Sequence, residues 1–215
     1  MTDITEHRPQ NWVARLRGFL GTPPAAGERC DLCNTEIGHE HPHLIELESR
    51  RLLCACPPCA LLFANHEAKR YRRVPRDVTR LSDFKLSDAQ WDSLLIPISM
   101  AFFFHSSPDG RVLAMYPGPA GATESTLNLS AWDDLAEANP ILKELEEDVE
   151  ALLVNRVEGA HDYYRVPIDR CYELVGLIRS HWHGLSGGEG VRKAIQTFFK
   201  KLRIETSNRG VSTHA

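Results

Sequence analysis

Residues 30–59 read CDLCNTEIGHEHPHLIELESRRLLCACPPC, and this stretch decides the fold of the first part of the chain. Cys30 and Cys33 form one C-x-x-C pair and Cys56 and Cys59 another, with 22 residues between them. Each pair presents two sulfurs from a tight turn, and a hairpin between the turns brings all four to one tetrahedral ion. The intervening residues carry that hairpin: 44–47 and 52–55 read as its arms, turning near Ser49. Cys30, Cys33, Cys56 and Cys59 are therefore the predicted metal ligands, and residues 28–68 the predicted four-cysteine metal ribbon.

Zinc takes four ligands in a tetrahedron and is satisfied by thiolates at about 2.3 Å. A ribbon of this kind most often staples a core too small to stand alone, which makes zinc the expected ion. Iron is the alternative. Cys56-Pro57-Pro58-Cys59 is similar to the proline-bearing second knuckle of rubredoxin-like sites, where iron carries one electron. Zinc, with its filled d shell, cannot do this. Cys54 is surplus to the four ligands. It is expected to be a small buried apolar residue, with replacement of a ligand or a thiol beside the site as the other readings. His39, His41 and His43 alternate in GHEHPH. On an extended segment they face one side, which raises a second metal site. The expected reading is a polar loop at the hairpin start, since the nearest further donors are Glu40 and Glu46.

The 215 residues allow one medium domain, or a small module plus a domain of about 130. Hydrophobic residues make up 42% and the net charge is −4, so wholesale binding to nucleic acid or membrane is not implied. Residues 1–80 hold 12 Lys/Arg against 10 Asp/Glu, and residues 81–215 hold 13 against 19. The start, MTDITEHRPQNW, lacks the apolar stretch of a signal peptide. No run reaches the roughly 18–20 apolar residues that span a bilayer. A cytoplasmic location is expected, where thiols stay reduced and metal binding explains the cysteines better than disulfides.

Residues 1–27 read as a tail, a short amphipathic helix over 11–20 and a Gly/Pro linker. Residues 69–84 form a basic connector, with six Lys/Arg in positions 69–80. Residues 85–204 are the predicted α+β domain and 205–215 a flexible tail. In that domain Ser87 is the expected cap of a helix that turns Trp91, Leu94 and Leu95 inward. Strands are expected over 98–105, 111–116, 149–156 and 163–166, a loop over 117–122, and helices over 130–138, from Pro140, over 169–182 and over 191–202. The fold class is α+β: a small zinc-ribbon or rubredoxin-like module, then an antiparallel sheet packed with helices on one face.

Other candidates have plainer explanations. The basic connector, with Tyr71 as a stacking face, suits phosphates, but it serves equally as a connector docked on the acidic second domain. The loop 186–190 lacks the spacing of a phosphate-binding loop. His181 and His183 point to different faces of a helix and suit its C-terminal end. Glu144, Glu146, Glu147, Asp148 and Glu150 read as a solvated acidic run or a seat for a basic partner. Cys171 fits a helical core position. No Ser or Cys sits in the local context of a catalytic nucleophile.

The segments CDLCNTEIGHEHPHLIELESRRLLCACPPCALLF, RYRRVP, AFFFHSS, YPGPAGATES, VEALLVNR and VPIDRCYELVGLIRSHWHGLSGG together resemble a bacterial family associated with gene clusters of high-affinity, actinobacterial-type nickel–iron hydrogenases. The likeness covers residues 28–204. It implies a neighbourhood rather than a mechanism: hydrogenase assembly, maturation or electron transfer. Three expectations result. The first is a non-enzymatic accessory protein that meets a hydrogenase subunit or maturation factor, with the basic connector and the GPAGATES loop as contact surfaces. The second is a rubredoxin-like iron protein passing electrons to or from the hydrogenase. The third, less favoured, is a zinc-ribbon regulator that binds nucleic acid.

Overall fold

A computed structural model describes residues 27–63, 70–126, 129–184 and 187–211. The helix expected over 11–20 lies outside the described residues. Two antiparallel sheets organise the chain. The small one orders its strands β2-β1-β3, with β1 at His43–Glu46, β2 at Arg51–Cys54 and β3 at Tyr71–Arg73. The predicted hairpin is β1 and β2, paired from His43↔Cys54 to Glu46↔Arg51. Helix α1, Pro57–Phe63, starts inside the second C-x-x-C. Prolines at its first two positions forfeit only N–H groups that a helix start leaves unpaired anyway.

The large sheet has six strands: β4 (Thr79–Arg80), β5 (Met100–Ser106), β6 (Arg111–Gly118), β7 (Gly121–Ser125), β8 (Glu150–Asn155) and β9 (Asp162–Pro167). Their spatial order is β4-β9-β8-β5-β6-β7. The helices are α2 (Asp88–Ser93), α3 (Leu129–Ala138), α4 (Ile168–His181) and α5 (Gly188–Val211), with a 3₁₀ turn at Pro140–Glu144. Ser87 caps α2 in a capping box with Gln90. Trp91 and Leu94 are buried as expected. Leu95 is not: the helix stops at Ser93, and Leu95 adopts a φ of +58° and is 62% exposed.

Helices cover both faces of the large sheet, where one was expected. Phe102 and Phe104 pack with Ile168, Leu174, Phe198 and Phe199 of α4 and α5. Ala101 and Phe103 point the other way, toward Trp91, Trp132 and Leu135 of α2 and α3. The cause is legible in β5 and β8. MAFFF and ALLV are unbroken apolar runs, and a strand apolar on both sides has to be covered on both. The 117–122 segment is also more regular than a loop. β6 runs to Gly118, β7 leaves from Gly121, and Gly118 pairs with Gly121 around a two-residue turn. Gly121 holds a φ of +123°, which side chains disfavour.

The basic segment is woven into both sheets. Tyr71–Arg73 is the third strand of the small sheet, while Thr79 and Arg80 pair with Arg165 and Tyr164 of β9. Ile45 and Leu47 from the hairpin, with Val74 and Val78, belong to the same core as Phe102, Leu113 and Val166. The small sheet therefore shares its hydrophobic base with the large one.

Candidate metal centre

The first knuckle is a turn closed by Asn34 N–H to the Cys30 carbonyl and by Cys30 N–H to the Thr35 carbonyl, both at 2.8 Å. Asn34 takes a φ of +62° to complete it, a conformation asparagine tolerates better than most residues. The second knuckle is the entry to α1: the Ala60 N–H donates to the Cys56 carbonyl at 2.9 Å, which sets Cys59 in the first helical turn. The hairpin carries the knuckles together, because β2 runs directly into Cys56 and the Asp31 N–H bonds the Cys54 carbonyl at 2.8 Å.

The four sulfurs of Cys30, Cys33, Cys56 and Cys59 lie within 4.8 Å of one another. Cys33 Sγ is 3.6 Å from Cys56 Sγ, close to the roughly 3.8 Å edge of a tetrahedron with 2.3 Å metal–sulfur bonds. All six cysteines of the chain are free thiols. The four are thus positioned to bind a metal ion. Cys30, Cys56 and Cys59 are buried; Cys33 is exposed. Their protons are held unequally. Contact with the Thr35 hydroxyl and backbone, and with the neighbouring thiols, lowers Cys33 to about 6. Burial, then the crowding of Cys56, Cys33 and Cys30, pushes Cys59 up to about 12. Thiols packed like this cannot all ionise without a cation, and a soft tetrahedral sulfur set suits zinc or iron.

Around them the core is small. It comprises Cys30, Leu44, Leu53, Ala55, Cys56, Cys59 and Ala60, with Leu32, Ile37 and Tyr71 at its margin. A cluster of this size buries too little to order two knuckles by itself.

The other sequence candidates fall elsewhere. Cys54 does not join the four. It faces His41 and His43, and these three offer ligand atoms within 4.8 Å of one another. His39 stays outside that group, exposed in a bend at 39–40. Sequence reasoning placed Cys54 and the histidines apart. The signal that joins them is strand register, because the first residue of one hairpin arm, His43, and the last of the other, Cys54, stand opposite. Asp169, which touches His43 from 126 residues away, had no sequence signal.

Three arginines of the basic run are paired within the fold: Arg70 with Glu46, Arg72 with Glu147 and Asp148, and Arg80 with Asp162. In the acidic run Glu147 and Asp148 meet Arg72, and Glu150 is held by Arg165. His181 Nδ1 meets the Leu177 carbonyl at 2.9 Å, inside its own helix, and Cys171 is wholly buried. Among the described residues, no helix is long and apolar enough to cross a membrane.

Residues 29–206 match the model of a family of unknown function (DUF5947). The chain belongs to the DUF5947 family. The match takes in both knuckles, both sheets and α4, and ends within α5, so the metal centre and the α+β body lie within the family's span. No curated protein and no solved structure matches the chain.

Proposed function

We propose that this chain is a non-enzymatic metal-ribbon accessory protein of the cytoplasm that holds zinc at Cys30, Cys33, Cys56 and Cys59 and assists assembly or maturation of a nickel–iron hydrogenase. The observation that supports it most directly is the coupling of the metal centre to a surface. Cys59 lies on α1, and the next residues of that helix include Leu61 and Leu62, 76% and 73% exposed. An ion at the knuckle fixes the first turn of α1 and so the direction of these apolar side chains. Adjacent exposed apolar residues on a metal-braced helix suit contact with a protein. The choice of a hydrogenase subunit or maturation factor as partner draws on the likeness of the quoted segments.

The test is retrieval of native protein with its partners, with metal quantified on the same sample. One zinc per four-cysteine centre and co-purification of a hydrogenase subunit or maturation factor is the expected result. Deletion of the gene that left hydrogenase processing, assembly and activity intact would sink the proposal.

A second reading has one observation in its favour. Cys33 is exposed, so an iron ion at this centre would have a sulfur at the surface through which an electron could pass, in the manner of a rubredoxin-like carrier. Coloured native protein containing iron, bleached by a reductant, is what this reading requires. Colourless zinc protein excludes it.

A further inference from the structure

We propose a second metal site, built by His41, His43 and Cys54 and distinct from the four-cysteine centre. It takes a zinc-class transition cation and leaves one coordination position open to solvent. The hairpin itself assembles the site. His43 and Cys54 are directly paired across β1 and β2. The Ala55 N–H to Pro42 carbonyl bond beside them, at 2.9 Å, makes them a non-hydrogen-bonded pair, the class whose side chains stand closer. His41 comes two residues earlier, and its ring meets that of His43 edge to face with centroids 4.9 Å apart.

The ring nitrogens are already sorted for metal binding. His41 Nδ1 lies 2.8 Å from the Gly38 carbonyl, and His43 Nδ1 lies 2.8 Å from Asp169 Oδ2. Both contacts make Nδ1 the protonated nitrogen and leave the Nε2 lone pair free. His41 Nε2 is buried with no hydrogen-bond partner, in a side chain only 6% exposed. A buried acceptor without a donor is costly, and a metal ion supplies what it lacks. The His43–Asp169 contact is the carboxylate–imidazole arrangement that orients metal-bound histidines. Asp169 Oδ1 is itself buried and unpartnered.

Charge favours a cation here. Glu28 Oε2 sits 3.4 Å from His41 Nδ1, and Asp31 accepts the Cys54 N–H at 2.6 Å. With Asp169, three carboxylates surround two imidazoles and a thiol. Two imidazoles and one thiolate are borderline-to-soft donors that select zinc and its neighbours over magnesium or calcium. Three protein ligands with an open fourth position are the pattern of a reactive or exchangeable site rather than a closed structural one. Beside the group, His41 and His43 line a cleft of about 540 Å³ with Asp169, Arg170 and Glu173.

The test uses the full chain, stripped by chelation and reloaded with zinc. Wild-type protein should bind two zinc ions, and Cys54→Ser and His43→Gln one each, with unchanged circular dichroism. Cobalt should report the same: a second equivalent with weaker thiolate absorption, absent in Cys54→Ser. Should the variants fail to fold, alkylation of wild-type Cys54 by iodoacetamide decides, with zinc beyond the first equivalent slowing it at least tenfold. One zinc per wild-type chain at saturation overturns the site. So does alkylation of Cys54 that is fast, unaffected by zinc and lost in His43→Gln, which would mark a histidine-activated nucleophile instead.

Discussion

Arg72, on the third strand of the small sheet, extends Nη1 to within 3.4 Å of Asp148 Oδ2, in the turn before β8 of the large one. The same nitrogen donates to the Glu147 carbonyl at 3.0 Å. Asp148 is nearly buried and also accepts the Ser107 N–H at 2.8 Å and the Ser107 hydroxyl at 2.6 Å. One guanidinium therefore ties the metal-bearing sheet to the core sheet through a carboxylate that is already oriented. Arg72→Ala should lower stability by about 1–3 kcal/mol, because Asp148 keeps its serine bonds but loses its cation. Urea unfolding measures the loss, and a cycle with Asp148→Asn isolates the pair. A coupling below about 0.3 kcal/mol would show that the contact is incidental.

Chelation should loosen the knuckles selectively. The amides of Asn34 and Ala60, which bond the Cys30 and Cys56 carbonyls, should exchange with solvent far faster once metal is removed. Amides of β5 and β8 should stay protected, since their cores contain none of the four ligand cysteines. Structural zinc contributes apparent binding energies of about 10–16 kcal/mol in small domains, ample to order a cluster of this size. Equal loss of protection across the chain would refute this division. Cys59→Ser should reproduce the metal-free pattern.

Removing the cation from the buried end of β8 should be costly. Arg165 grips Glu150 through Nε at 2.8 Å and Nη2 at 2.5 Å, and Glu150 is 5% exposed. Arg165→Ala strands that carboxylate, at about 3–5 kcal/mol by unfolding measurements. Arg165→Ala combined with Glu150→Gln should recover part of it, because no buried charge is left alone.

The buried Cys171 makes stability fall on the alkaline side. Burial, followed by the charge of Asp169, holds its pKa well above the ordinary 9.0. The thiol stays protonated in the fold while the unfolded chain ionises above that value, so the folded state binds the extra proton. Stability from this group is then constant below pH 9 and drops by about 1.4 kcal/mol per pH unit above it. Urea midpoints at about pH 8 and pH 10 should differ more for the wild type than for Cys171→Ala. Equal slopes would remove Cys171 as a cause.

Leu61→Ser and Leu62→Ser should leave stability within about 0.5 kcal/mol, since neither side chain is buried in the fold. They should reduce recovery of a protein partner. Thermal melting and partner retrieval on the same preparations separate the two effects.

The sequence by itself determined whatever rests on local spacing. Two C-x-x-C turns need only a hairpin to meet, so Cys30, Cys33, Cys56 and Cys59 could be named from their order. Ser87 could be named as a helix cap from its place before the helix, and the apolar runs of β5 and β8 identify strands. Tertiary structure decided what depends on distant chain segments. The second cover of helices follows from MAFFF and ALLV lying at the centre of the sheet, a position fixed by the pairing of β5 with both β6 and β8. The basic segment became strand and ion pair because acidic partners from 146–165 arrive beside it, as Asp148 and Asp162 do. Cys54 left the company of Cys56 for His41 and His43 because register across a hairpin, not proximity along the chain, sets which side chains meet. Asp169 completed that group from the far end of the fold, where only packing of α4 against the hairpin could bring it.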